Sequence, residues 1–143
     1  MNIIEILQEK LLGNFYSTFR VGDDFGLNFD GFWLISQNIV SADENALNDK
    51  LLNEYQPASE AIDKEDIAKS IVLSATLRKT ISKVDLMPDS SLELTFDNGV
   101  KLLVPTNTEI IDWQWAINEN SHDPYIDFIV GVFESDEAQL GNY

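Results

Sequence analysis

The chain contains no cysteine and few basic residues, with nine Lys and Arg and one His in 143 residues. The absence of cysteine excludes disulfides, thiolate metal sites and a cysteine nucleophile. No window approaches the ~20 apolar residues that a membrane-spanning helix needs. Few cations also disfavour direct binding to nucleic acid or to anionic lipid. We therefore expect a protein that binds no nucleic acid directly and enters no membrane.

The first residues also lack the basic leader and uninterrupted apolar stretch of a secretory signal, because Glu5 and Glu9 lie among the apolar positions. Together with the absence of cysteine, this start predicts a cytoplasmic protein.

Acidic residues dominate what is present. Twenty-five Asp and Glu give a formal charge of −16. Residues 1–63 hold eleven acids and three bases, residues 64–101 hold six of each, and residues 102–143 hold eight acids and no Lys or Arg. A charge excess of this size keeps a protein soluble and attracts oppositely charged partners. The distribution favours a basic protein partner, with a plain solvated acidic surface as the alternative.

The apolar pattern predicts a single domain over residues 1–143 of α+β class, with two antiparallel three-stranded β-meanders. Spacings of three and four over residues 3–12 predict an N-terminal helix. Residues 13–40 form the first predicted repeat. In it, Phe25, Leu27 and Phe29 alternate before an Asp30-Gly31 turn, and a returning strand runs from 32 to 40.

Residues 41–77 form a predicted helical insert between the repeats. Ser41 and Glu44 match a capping box at the start of its first helix, and Pro57 ends that helix. A second helix is predicted from about Asp63, which is its candidate cap. Its buried face is expected to carry Ile67, Ile71, Ser74 and Ala75.

The second predicted repeat covers residues 78–105 and resembles the first. Residues 25–30 and 92–97 agree in pattern at an offset of 67, and each is followed by a turn that contains glycine. The Asn98-Gly99 pair is the stronger hairpin signal of the two. This agreement predicts a degenerate duplication, with chance similarity between two hairpins as the alternative.

Residues 106–143 are predicted to add two strands and an acidic tail. The strands are expected over 112–117 and 125–133, with a polar loop over 118–124, and the last ten residues read as a frayed acidic end.

The sequence shows no catalytic, metal-binding or cofactor-binding signature. The single histidine, His122, lies in a turn-forming stretch, which favours a loop residue over a general base. The acidic pairs Asp23-Asp24 and Asp136-Glu137 lack the spacing of a calcium loop. We expect no enzyme activity, no cofactor and no metal.

Trp113 and Trp115 lie two positions apart, so a regular strand presents both on one face. Such a pair rimmed by carboxylates can receive a Lys or Arg side chain through cation–π contact and charge pairing, although core packing is the alternative. The residues expected to contact a partner are Glu109, Asp112, Trp113, Trp115, Asp123 and Asp127, with Asp23 and Asp24 as outlying members.

Residues 77–115 resemble a bacterial family of immunity proteins from polymorphic or contact-dependent growth inhibition toxin systems. The shared pattern is an apolar strand, an alternating strand that ends in Phe96-Asp97-Asn98-Gly99, a returning strand, and an aromatic and acidic stretch that contains Trp113 and Trp115. The first half matches only loosely, because its turn is the shorter Asp30-Gly31.

The resemblance implies a cytoplasmic inhibitor that binds one cognate toxin domain, which is expected to be basic, with nucleases as one candidate class. It supplies no catalytic residues. The alternatives are an acidic antagonist that mimics DNA and competes with it for a nucleic-acid-binding protein, and an acidic binding domain of another kind.

Overall fold

The computed structural model describes residues 2–54, 64–106, 108–109, 112–119, 123–134 and 137–141. Three helices and nine strands lie in these ranges. In chain order they are α1 (Ile3–Leu11), β1 (Thr18–Val21), β2 (Phe25–Phe29), β3 (Phe32–Ser36), α2 (Ala42–Glu54), α3 (Lys64–Thr76), β4 (Ile81–Leu86), β5 (Leu92–Phe96), β6 (Lys101–Val104), β7 (Trp113–Asn118), β8 (Phe128–Phe133) and β9 (Ala138–Leu140). The predicted α+β class, the N-terminal helix and the helix pair between two strand groups are confirmed.

The two helix starts that the structure describes are capped by side chains. Asn2 Oδ1 accepts a hydrogen bond from the Glu5 amide at 2.9 Å before α1, and Ser41 Oγ accepts one from the Glu44 amide at 3.1 Å before α2. In a capping box the Glu44 carboxylate would accept a hydrogen bond from the Ser41 amide, but here it pairs with Lys69 of α3. The described residues do not include Asp63, Pro57 or the part of the first predicted helix that follows Glu54.

The predicted buried face of α3 is wrong by about one position. Ile71 is 41% exposed, and Ser74 and Ala75 are also exposed. The side chains that α3 buries are Ala68, Lys69, Val72, Leu73 and Thr76. The apolar spacing did not reveal the position of Lys69, whose side chain is buried in a pair with the Glu44 carboxylate.

Six strands form one antiparallel sheet in the order β1-β2-β3-β7-β8-β9. The first meander therefore continues into the C-terminal strands, with Leu34 of β3 opposite Ile117 of β7. The predicted returning strand is shorter than expected, because β3 ends at Ser36. The chain then crosses to the other sheet, where Val40 and Leu103 exchange two backbone hydrogen bonds of 2.9 and 2.8 Å.

The C-terminal end of the described chain is also more ordered than the predicted frayed tail. β9 pairs with β8, and the Gly141 amide donates to the Ile129 carbonyl at 2.8 Å. This pairing satisfies backbone groups that β8 would otherwise leave open at the sheet edge. The predicted strand over 125–133 begins only at Phe128, because Asp127 has a φ of 55°.

The second meander is a separate sheet with the order β4-β5-β6. Gly99 has a φ of 86° in its second turn, and Gly31 has a φ of 88° in the corresponding turn of the first meander. A side chain is strained in this left-handed region, which explains why glycine occupies both turns. The two meanders share element order and turn position; their origin by duplication stays a prediction.

Tyr16 joins the two sheets and α3 in one core. Its ring makes edge contacts with Phe29 of the first sheet at 6.1 Å and with Phe96 of the second at 6.0 Å. Its hydroxyl donates to the Leu73 carbonyl at 2.5 Å and also bonds the Thr76 hydroxyl. Burial raises the pKa of the Tyr16 hydroxyl, while the bond to Thr76 lowers it by a smaller amount.

Candidate partner-binding surface

Tyr125 forms an exposed aromatic platform at one end of β8. Its side chain is 52% exposed, and its ring stacks on Phe133 with a centroid distance of 5.2 Å and an interplanar angle of 21°. Phe133 in turn makes an edge contact of 5.0 Å with Phe128. A stacked pair with one open ring face leaves a flat π surface for a ligand.

Glycine at position 131 lets the Phe133 ring lie flat on the sheet. A Cβ atom added there would stand 2.8 Å from the ring carbons of Phe133 and 3.4 Å from the Cβ of Ala116. The small residues Gly131 and Ala116 are register partners on adjacent strands. The small side chains at these two positions therefore leave room for the Phe133 ring, on which Tyr125 stacks.

The turn before β8 fixes the position of Tyr125. Asp123 Oδ1 accepts a hydrogen bond from the Tyr125 amide at 2.8 Å, and Asn118 Nδ2 donates to the Asp123 carbonyl at 2.7 Å. At the other end of the side chain, the Tyr125 hydroxyl donates to the Asp112 carbonyl at 3.2 Å. These bonds hold the ring between the start of β7 and the start of β8.

Three carboxylates lie near Tyr125. The pKa of Tyr125 is raised from 10.0, first by loss of hydration and then by the negative charges of Asp112, Glu134 and Asp123. Among the described residues, none of these three carboxylates forms an ion pair with Lys or Arg. We name Tyr125, Phe133, Asp112, Asp123 and Glu134 the acidic platform. A hollow of about 310 Å³ opens beside it.

The two tryptophans predicted for the interface have different environments. Trp115 is fully buried, and its Nε1 donates to the Ser90 carbonyl at 2.9 Å, which assigns it to the core and removes it from the surface candidates. Trp113 is half-buried. An irregularity in the β7–β8 register between these residues breaks the strict alternation on which the shared face was predicted.

The remaining predicted residues fall into separate places. Asp23 and Glu109 line a second groove of about 500 Å³, together with Gln37, Val40 and Pro105 among others. Asp24 pairs with Arg20 at 2.9 Å, so a basic partner would have to compete for it. Asp127 is exposed in the turn before β8, and His122 lies outside the described residues.

Tyr125, Phe133 and Glu134 are the surface residues that the sequence prediction missed. Both aromatics were assigned to a continuous strand over 125–133, whose alternation implied core packing. Two signals mark them otherwise: Pro124 is a residue typical of turns, and Gly131 makes room for an aromatic ring two positions later.

No family model, no curated protein and no solved structure matches the chain. Within the described residues, no group of three or more His, Cys, Asp or Glu is arranged to hold a metal ion. No helix in the same ranges is long and apolar enough to cross a membrane.

Proposed function

We propose that this protein is a cytoplasmic immunity protein that neutralises a basic toxin domain by binding it stoichiometrically. The observation that carries the proposal is the acidic platform, in which three carboxylates lie near an exposed tyrosine ring that stacks on Phe133. The resemblance of residues 77–115 to immunity proteins supports the same reading. The protein acts by occupying its partner and performs no chemistry on it.

The platform suits an arginine or lysine side chain of the partner. A cation over the face of Tyr125 gains about 0.5–2 kcal/mol from the ring, depending on how far it is desolvated. The carboxylates of Asp112, Asp123 and Glu134 then bond the N–H groups around its edge. Arginine fits better than lysine because its planar guanidinium stacks on an aromatic ring while it bonds a carboxylate.

The net charge of −16 acts at longer range. It attracts a basic toxin domain before contact and raises the association rate, an effect that salt screens over ~10 Å at 0.1 M. Fast capture suits an inhibitor whose target is harmful while free. The platform then sets the lifetime of the complex, because close contacts control dissociation.

An immunity function predicts a toxin gene next to the gene of this chain, and the proposal is tested by growth of a bacterial host that expresses the protein encoded directly upstream. Wild-type protein should restore growth. A variant with Tyr125→Ala, Asp112→Asn and Asp123→Asn should fail to restore it at equal expression. The control carries Asp30→Asn and Asp97→Asn, which remove the same charge from exposed turns outside the platform, and it should protect. No protection by the wild-type protein would reject the immunity function, and protection by the platform variant would reject the platform.

A further inference from the structure

The turn that follows α3 carries two bases whose side chains the fold does not use. Arg78 and Lys79 are both exposed. Among the residues that the structure describes, neither side chain forms a hydrogen bond, an ion pair or a contact with an aromatic ring. The chain has nine Lys and Arg against 25 acids, so two adjacent unpaired bases are an exception on an acidic protein.

The ordinary role of bases at the end of a helix is to bond its last carbonyls. At the end of α3 each of the last four carbonyls already has another donor. These donors are the Tyr16 hydroxyl for Leu73, the Leu77 amide for Ser74, the Asn98 side-chain amide for Ala75 and the Lys79 amide for Thr76. The end of the helix is therefore capped without either basic side chain.

Arg78 also has a backbone conformation that suits a different residue. Its φ of 62° lies in the left-handed region, where glycine is the usual residue after a helix. An arginine in this region is strained, and strained residues of this kind are concentrated at functional sites. Because the side chain of Arg78 caps nothing and pairs with nothing in the described chain, its presence indicates a use outside the fold.

An apolar ring lies beside these bases. Residues 13–16 pair with residues 78–81 through backbone hydrogen bonds of 2.9 Å at Ile81 and 3.0 Å at Arg78. Phe15 lies between these bonds along the pair, and its side chain is 48% exposed. We name the three exposed side chains of this surface the basic corner: Phe15, Arg78 and Lys79.

We propose that the basic corner binds a short acidic segment of a partner protein, in which an apolar residue lies between two Asp or Glu residues. The Arg78 guanidinium can hold one carboxylate through two parallel N–H···O bonds, and the Lys79 ammonium can pair with the other. The apolar residue of the segment covers the exposed face of Phe15 and removes both surfaces from water.

The charges around the basic corner limit what can bind there. The Asp97 amide donates to the Thr80 carbonyl at 2.8 Å, and Asp85 pairs with Lys83 at 3.5 Å, so two acids lie on the neighbouring part of the sheet. A nucleic acid or an anionic membrane extends beyond two bases and meets these acids and the net charge of −16. A second copy of the chain brings another −16. A short acidic segment meets only the corner.

This inference goes beyond the proposed function, because it concerns an acidic ligand and uses no residue of the acidic platform. The probe is the peptide Ser-Glu-Leu-Glu-Ser with blocked ends. It is titrated to ~5 mM against isotope-labelled protein and followed by backbone amide shifts in NMR, which reveal a Kd near ~1 mM. The shifts should concentrate in residues 13–16 and 78–81. A peptide with Gln in place of both Glu should leave these amides unchanged, and one with Ala in place of Leu should bind about threefold more weakly.

The variant Arg78→Gly separates binding from folding. Because glycine relieves the left-handed backbone, this variant should unfold at a temperature no lower than that of the wild-type protein. Its affinity for the peptide should fall by about fivefold. Lys101→Gln is the matched control, since it removes the same charge from an exposed side chain that pairs with Glu93, and it should leave binding unchanged. Asp112→Asn with Asp123→Asn should also leave binding unchanged, so failure here is distinct from failure of the acidic platform.

The comparison ligands are a short single-stranded DNA and vesicles that contain anionic lipid. Larger shifts at the basic corner with either ligand would overturn the choice of an acidic segment, and so would self-association that Arg78→Gly abolishes in sedimentation. An absence of shifts, equal shifts with the Gln peptide or undiminished binding by Arg78→Gly would overturn the site. A lower unfolding temperature of Arg78→Gly would show that the fold needs this arginine, which would also overturn the proposal.

Discussion

A buried ion pair between α2 and α3 gives the sharpest stability prediction. Lys69 is 4% exposed, and its Nζ donates to both carboxylate oxygens of Glu44 at 2.6 and 2.9 Å and to the Ile39 carbonyl at 2.7 Å. The ammonium group also lies 5.7 Å from the centre of the Phe25 ring. These three acceptors use all three donors of the lysine.

The expected loss of stability differs between removing one partner of the ion pair and replacing both. At an effective dielectric constant of about 20, the attraction between the closest atoms is about 6 kcal/mol, and the loss of hydration of two buried ions is of similar size. The buried ion pair therefore stabilises the fold little more than two apolar side chains at the same positions would. Removing one partner leaves the other charge buried without compensation, and Lys69→Met should lower the free energy of unfolding by about 3–5 kcal/mol.

Urea unfolding of a double-mutant cycle measures these values. Glu44→Leu combined with Lys69→Met should recover most of the stability lost by Lys69→Met alone, at an unchanged dependence on urea concentration. A loss below about 1 kcal/mol in Lys69→Met, or a double variant as unstable as the sum of the single ones, would refute the buried pair. Lys83→Met is the control, because its ion pair with Asp85 is exposed and should contribute less than ~1 kcal/mol.

Three further predictions concern tyrosine ionisation and the last strand. The Tyr16 hydroxyl has a raised pKa in the folded protein, so its contribution to stability is complete below the unfolded pKa of 10.0 and falls as the pH rises above that value. The Tyr16→Phe variant should be ~1–2 kcal/mol less stable near neutral pH. Its thermal unfolding should also be less sensitive to alkaline pH than that of the wild-type protein. Gly141→Ala should detach β9, because the added Cβ would stand 1.7 Å from the Phe128 carbonyl oxygen. Hydrogen exchange of the amides of β9 and residue 141 should then become faster, while the amides of the other strands stay protected. Asp112→Asn should lower the pKa of Tyr125 towards 10.0 in an ultraviolet titration corrected with Tyr125→Phe, and an unchanged pKa would remove Asp112 from the acidic platform.

The fold was largely predictable because the strands carry local signals. The alternation of residues 92–96 and the Asn98-Gly99 turn follow from side-chain period and turn geometry, which act over a few residues. The pairing of β3 with β7 is different, since Trp33 and Asn118 are 85 positions apart and no local pattern specifies their register. Such contacts depend on the whole core, which explains why the sequence alone did not join the first meander to the C-terminal strands.

The acidic character of the surface was predictable from the sequence, but the aromatic residue at its centre was not. Asp112 and Asp123 do act on one aromatic ring, but the ring belongs to Tyr125 and not to the tryptophans. Trp115 is buried, and its indole N–H donates to the carbonyl of Ser90 in the turn between β4 and β5. The face of α3 was misplaced as well, since the burial of Lys69 depends on a carboxylate 25 positions away.

The most direct test of the acidic platform is the association and dissociation kinetics of the wild-type protein with the toxin domain that the proposed function expects to be encoded next to its gene. Association should slow markedly as salt rises, and the variant with Asp112→Asn and Asp123→Asn should bind more weakly by more than ~1 kcal/mol, mainly through faster dissociation. The variant with Asp30→Asn and Asp97→Asn should change only the association rate. An association rate that is insensitive to salt, together with equal affinity of the two variants, would contradict the account.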